Sequence, residues 1–135
     1  MKGVRILLVD DEPEIIRLLT RRLRRKGYEV TPATDSGQAL ALLQQGLFDL
    51  AIVNFMMPGM NGLELAAQCG LRCPGLKILM LTGSRVIDEI ERAGYPCLRK
   101  PLESLQDLDV AIERLLHSET RDEADGDGRR TDEGG

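Results

Sequence analysis

A chain of 135 residues has room for one buried core and little more. Hydrophobic residues make up 42% and charged residues 30%, and there is no Trp, so a core must be built from Leu, Ile, Val, Ala and Met. The longest apolar runs, such as Ile6 to Val9 and Ile78 to Leu81, are strand-sized and far short of the roughly 20 residues of a membrane span. The first residues lead into an apolar run too short for a signal peptide, and the expected location is the cytoplasm. The net charge of −4 is uneven: residues 119–135 hold seven acids and three arginines, leaving 15 acids and 15 bases in the first 118 residues. A domain neutral overall offers no broad basic field for nucleic acid. The three cysteines, Cys69, Cys73 and Cys97, lack the spacing of a CxxC pair and read as small reduced thiols.

In chain order, Arg5 to Val9 predicts a first strand. Pro13 to Lys26 follows as a helix, with Pro13 in its first turn, Gly27 just past its end, and Ile15, Ile16, Leu19 and Leu23 as an inward stripe with Leu18 at its edge. Glu29 to Ala33 predicts a second strand; Ser36 can cap a helix running to Gln45, with Gly46 to end it. Leu50 to Val53 is apolar throughout, as a strand buried on both faces should be. A loop from Phe55 to Asn61 leads to a short helix, Gly62 to Cys69. Leu76 to Leu81 is a fourth strand, Ser84 can cap a helix ending near Ala93 and Gly94, and Cys97 to Arg99 is a short fifth strand. Ser104 to His117 is the last helix, with Leu105, Leu108, Ala111, Ile112 and Leu115 on one face. Residues 118–135 have almost no apolar side chains and predict an acidic disordered tail after a single domain over 1–117.

Five strand-then-helix units predict an α/β fold: a doubly wound five-stranded parallel sheet with helices on both faces. Functional groups in such sheets gather at the carboxyl ends of the strands. Those ends carry Asp10-Asp11-Glu12, Asn54, Thr82-Gly83 and Lys100-Pro101. Adjacent carboxylates on a turn suit a hard cation such as Mg²⁺, or else favour the positive end of the following helix. A cation beside the acids, with a hydroxyl and an ammonium opposite, would make a receptacle for a phosphoryl group.

The run Ile6-Leu7-Leu8-Val9-Asp10-Asp11-Glu12-Pro13 resembles the opening of a response-regulator receiver domain, the CheY-like module of bacterial two-component systems. Met56-Met57-Pro58-Gly59-Met60-Asn61-Gly62 is similar to the family's phosphorylation loop, and Leu81-Thr82-Gly83 and Lys100-Pro101 complete the set in order. The resemblance covers residues 3 to 117 and implies the flavodoxin-like strand order 2-1-3-4-5. It implies that Asp10, Asp11 and the Met56 carbonyl hold Mg²⁺, that Thr82 and Lys100 bind the phosphoryl group, and that a sensor histidine kinase or phosphotransfer protein is the partner, with a downstream effector protein beyond. It implies a signalling domain, not an enzyme.

Two positions depart from the family pattern. The phospho-acceptor position holds Asn54 where the family has aspartate; an amide is not a useful nucleophile, and loss of one charge should weaken Mg²⁺ binding. The switch position holds Cys97 where an aromatic residue is usual, and the segment from Thr82 to Lys100 is short for the family. The primary expectation is therefore a receiver that is not phosphorylated and acts by protein–protein interaction. The alternative is a phosphorylation-dependent regulator whose acceptor aspartate was replaced by engineering. A metal-dependent phosphatase with Asp10 as nucleophile would pair it with Glu12, but Pro13 stands where such an enzyme needs phosphate-facing amides. On the first helix Arg17, Arg21 and Arg25, with Arg24, are either a solvated face or a partner-docking face.

Overall fold

The computed structural model describes residues 3–83, 86–100, 102 and 104–125, with side chains described as far as residue 117. Two compact units make up the chain, Met1–Pro101 and Leu102–Gly135.

The first unit contains the sheet. Its strands are β1 (Arg5–Val9), β2 (Glu29–Ala33), β3 (Leu50–Asn54), β4 (Lys77–Thr82) and β5 (Cys97–Arg99), all parallel in the order β2-β1-β3-β4-β5. Four helices lie between them: α1 (Pro13–Arg25), α2 (Ser36–Gln45), α3 (Gly62–Arg72) and α4 (Ile87–Arg92). β3 is central and buried at all five residues, which is why it reads as an unbroken apolar run until its last position. Side chains alternate across the sheet. Leu7, Val9, Ala51, Val53, Ile78 and Met80 share one core cluster with Ala39 and Leu43 of α2, Leu65, Ala66 and Cys69 of α3, and Ile90 of α4. Ile6, Leu8, Ile52, Leu79 and Leu81 are equally buried and point to the opposite face, the side of α1. Within α1, Leu19 and Leu23 are fully buried, Ile15 and Ile16 are half-buried, and Leu18 is exposed, as a stripe edge should be.

Local signals set the element ends. After α1, Gly27 takes φ +97°, and the N–H groups of Gly27 and Tyr28 donate to the carbonyls of Arg24 and Leu23. That closure needs a left-handed residue, so glycine fits it without strain. α2 is capped by Asp35 and not, as expected, by Ser36: the Asp35 carboxylate accepts from the Gln38 N–H at 2.7 Å, and Ser36 is the first helical residue. α3 runs three residues past the expected Cys69, since Gly70 stays helical and the Cys73 N–H bonds the Cys69 carbonyl. α4 is only six residues long; the expected cap, Ser84, lies outside the described residues. β2 is a sheet edge, and Pro32 removes one of its N–H donors while Arg24 Nη2 donates to the Val30 carbonyl at 2.9 Å.

The second unit is described as one helix, α5 (Leu105–Asp125). Ser104 Oγ accepts from the Gln106 N–H at 3.2 Å and caps its start. Helix continues to Asp125, so the tail expected to be disordered from Ser118 is helical over its first eight residues. No Gly or Pro interrupts 118–125, and its Glu, Arg and Ala residues are sound helix formers. Residues 126–135, the rest of that expected tail, lie outside the described residues.

Candidate functional site

The carboxyl ends of β1, β3, β4 and β5 lie along one edge of the sheet and bring forward Asp10, Asn54, Thr82 and Lys100. Backbone bonds hold these ends in place: Asp10 N–H to the Ala33 carbonyl (3.1 Å), Phe55 N–H to Leu81 (2.8 Å) and Lys100 N–H to Thr82 (2.8 Å). The loop after Asn54 closes where the Gly62 N–H meets the Phe55 carbonyl at 2.7 Å. A Cβ at Gly62 would stand 2.8 Å from the Phe55 Cα and 3.1 Å from the Asn54 carbonyl, so only glycine allows this approach. Asn61 and Glu64 then form a reciprocal capping box that starts α3.

Asp10 is fully buried. Its Oδ1 accepts from the Glu12 N–H at 2.9 Å and its Oδ2 from Lys100 Nζ at 3.1 Å. Glu12 occupies the N-cap position of α1 without capping it; its carboxylate instead accepts from Lys100 Nζ at 2.6 Å. Burial pushes the Asp10 carboxyl above the usual aspartate range, outweighing the Glu12 amide and Lys100, which pull it down. Burial also works against the charge on Lys100, but the bonds to Glu12 and Asp10 prevail and hold its pKa above the ordinary lysine value.

Asn54 joins the two halves of the site. Its Nδ2 donates to Asp11 Oδ1 at 3.2 Å and to the Met56 carbonyl at 2.8 Å, and its Oδ1 faces Lys100 Nζ at 3.4 Å. A groove of about 530 Å³ opens over this network, lined by Asp11, Glu12, Ile15, Asn54, Met56, Gly83 and Lys100. Asp11 and Glu12 line it with a single ammonium, Lys100, which also bonds the buried Asp10, so the groove is anionic.

Asp10, Asp11, Asn54, Met56 and Lys100 thus meet in one network. Thr82 ends the neighbouring strand but is fully buried, and Gly83 beside it lines the groove. Cys97 pairs with Met80 in the sheet and packs against the core cluster; burial raises its thiol to about 11, with Glu91 adding to the rise. Tyr95, two residues before β5, packs against the same core cluster. Arg17, Arg21, Arg24 and Arg25 line a separate groove of about 610 Å³, floored by Ile16, Thr20 and Pro32, between α1 and β2. Glu12 was not expected as the nearest partner of Lys100. The available signal was that a third acid directly follows the pair.

Mg²⁺ is the ion that the family resemblance implies, and most of the oxygens that would take it are already engaged. Asp11 Oδ1 and the Met56 carbonyl accept from Asn54, and both Asp10 oxygens accept from Glu12 N–H and Lys100. As it stands, an ion shared between Asp11 Oδ1 and the Met56 carbonyl does not fit without displacing the Asn54 amide. Among the described residues, no group of three or more His, Cys, Asp or Glu side chains could hold a metal. Likewise, no helix among them is long and apolar enough to cross a membrane.

The family model for the response regulator receiver domain matches residues 6–113. The response regulator receiver protein CpdR of Brucella abortus is 34% identical over 116 residues, covering 83% of this chain and 96% of CpdR. Other relatives are longer: the chain spans 19% of the alginate biosynthesis transcriptional regulatory protein AlgB of Pseudomonas aeruginosa (38% identity, 64% of this chain) and 50% of the probable transcriptional regulatory protein TcrX of Mycobacterium tuberculosis (28% identity, 84% of this chain). Among solved structures, a CheY-like receiver domain protein from Methanospirillum hungatei aligns at TM-score 0.82 with 31% identity, over 89% of this chain and 98% of that one. The response regulator TrrA of Thermotoga maritima, solved in complex with Mg²⁺–BeF, aligns at 0.76 with 32% identity, over 84% and 99%. With its five parallel strands in the order 2-1-3-4-5 and a family match over most of its length, this chain belongs to the response regulator receiver domain family of two-component signalling.

Proposed function

We propose that this receiver domain is not phosphorylated at position 54 and signals from the cytoplasm by protein–protein contact. The observation that carries the reading is the Asn54 side chain. It ends β3 at the acceptor position, and both its N–H groups are spent on Asp11 and Met56. An amide nitrogen delocalises its lone pair into the carbonyl, and the amide oxygen carries no full charge, so neither attacks phosphorus usefully. The partner is a histidine kinase or phosphotransfer protein that meets the α1 arginines, with an effector protein downstream. Divalent cation binding is weaker than an aspartate at 54 would allow, because one charge is missing.

Incubation with a small-molecule phosphodonor, with and without Mg²⁺, tests this. The expected result is no covalent adduct on the chain as written. A stoichiometric adduct would make it a working phosphorylation switch, and continuous turnover would make it a phosphatase. The blocked-switch reading, in which an engineered asparagine replaces a natural aspartate, draws support from a pocket that keeps Asp10, Asp11 and Lys100 together. It is separated by the natural codon at position 54, with Asn54→Asp as the companion variant: adduct formation in that variant alone means that the remaining pocket is chemically intact.

A further inference from the structure

We propose that the Asn54 carboxamide stands in for a divalent cation: its two N–H groups hold Asp11 Oδ1 and the Met56 carbonyl, the oxygens that a cation would otherwise bridge. The inference rests on the reading of Asp11 and Met56 as cation ligands and goes further than a missing charge. Losing a carboxylate would leave those oxygens open to a weakly held, hydrated ion. Here they are occupied by the protein itself, at 3.2 and 2.8 Å.

Three features support it. The first is the orientation of the amide. Asp11 and the Met56 carbonyl offer only acceptors, and Lys100 offers only N–H donors, at 3.4 Å from Asn54 Oδ1. Rotating the amide by half a turn would set oxygen against oxygen on one side and donor against donor on the other, so the surroundings select one orientation. The second is stoichiometry. A primary amide has two N–H groups and both are used, so the bridge is complete without a further ligand. The third is burial. Asn54 is 5% exposed, and a cation entering between Asp11 and Met56 would cost this largely buried amide both of its hydrogen bonds. The bridge also ties the Phe55–Asn61 loop to the end of β1 through Met56 and Asp11. The pocket therefore keeps its shape without metal.

Affinity for Mg²⁺, measured by calorimetry on the full chain, distinguishes this from simple charge loss. Asn54→Ala leaves position 54 as neutral as asparagine but frees both oxygens. If the amide occupies the cation's place, Asn54→Ala binds Mg²⁺ about tenfold more tightly than the wild type, the scale of one charge-assisted hydrogen bond no longer displaced, and Asn54→Asp binds more tightly still. Equal or weaker binding by Asn54→Ala, with tight binding by Asn54→Asp, would overturn the inference and leave charge loss as the whole explanation. Absence of binding in both variants would remove the cation site, and the inference with it. An independent measurement avoids variants altogether. The Asn54 side-chain NH₂ resonances of the wild type should stay resolved and unmoved through a Mg²⁺ titration to millimolar concentrations; their displacement by the ion would likewise overturn the proposal.

Discussion

Lys100 holds three strand ends together. Its ammonium contacts Asp10, Glu12 and Asn54, while its own side chain is only 14% exposed and that of Asp10 is fully buried. Replacing it with methionine keeps the stem and removes the charge, which leaves Asp10 buried without a cation. The expected loss is about 3–5 kcal/mol, the range for breaking a buried pair on one side. Its pH dependence has a defined sign. The Asp10 carboxyl already lies above the ordinary aspartate range because of burial, and Lys100 is one of the groups that pulls it down. Without Lys100 it rises further, so the native state binds the Asp10 proton more tightly than the unfolded chain does. Stability from that group then falls as pH climbs from the ordinary aspartate range through the raised value. Lys100 itself, held above the ordinary lysine value, stays charged throughout that window and adds no slope in the wild type. Urea unfolding at several pH values should show Lys100→Met closer to wild type near pH 4 than near pH 7. A pH-independent gap would contradict this account.

At the scale of elements, α1 carries a defect. Thr20 Oγ1 is sealed from solvent and has no hydrogen-bond partner among the described residues, although a threonine inside a helix commonly bonds the carbonyl one turn back. Thr20→Val keeps the branched shape and removes the orphaned hydroxyl. It should stabilise the domain by about 1 kcal/mol, or roughly 3–6 °C in melting temperature; a lower melting temperature would mean that the hydroxyl is satisfied in solution. Nothing in the sequence marks Thr20, because the fate of a hydroxyl depends on what the fold packs over it. Other features were legible. The β3 run and the α1 stripe announce themselves by apolar spacing alone, and Asp10, Asp11, Asn54, Met56 and Lys100 fall at strand ends or on the loop after one, where a parallel sheet gathers them. The α2 cap was less so. Thr34, Asp35 and Ser36 can all cap a helix, and the choice of Asp35 is made by Gln38, whose N–H bonds Asp35 and whose Oε1 accepts from the Thr34 N–H. α3 outlasted its expected end because Gly70 lies in open space and costs the helix only its own propensity. The partnership of Glu12 with Lys100 joins residues 88 positions apart, and no local pattern carries it.

For the molecule as a whole, charge is polarised more than it is abundant. The first 118 residues balance at 15 acids and 15 bases, yet Asp11 and Glu12 line the strand-end groove while Arg17, Arg21, Arg24 and Arg25 crowd the groove along α1. A partner approaching α1 therefore meets a local cationic face and no net field from the whole domain. These arginines are exposed, so their attraction is screened over about 8–10 Å at ordinary ionic strength. Exposed charge of this kind governs encounter more than residence. If α1 is the docking face for a kinase or phosphotransfer protein, reversing Arg21 and Arg25 to glutamate should slow association by at least about tenfold at low salt. The difference should shrink toward 0.5 M salt, where the Debye length falls to about 4 Å. Dissociation and melting temperature should change little, because neither residue's side chain is part of the core, and Arg24, which ties α1 to the β2 edge, is left in place. Stopped-flow binding across a salt series, with a melting curve for each variant, measures both. Unchanged association at low salt would make the arginine run a solvated helix face and move the docking surface elsewhere on the domain.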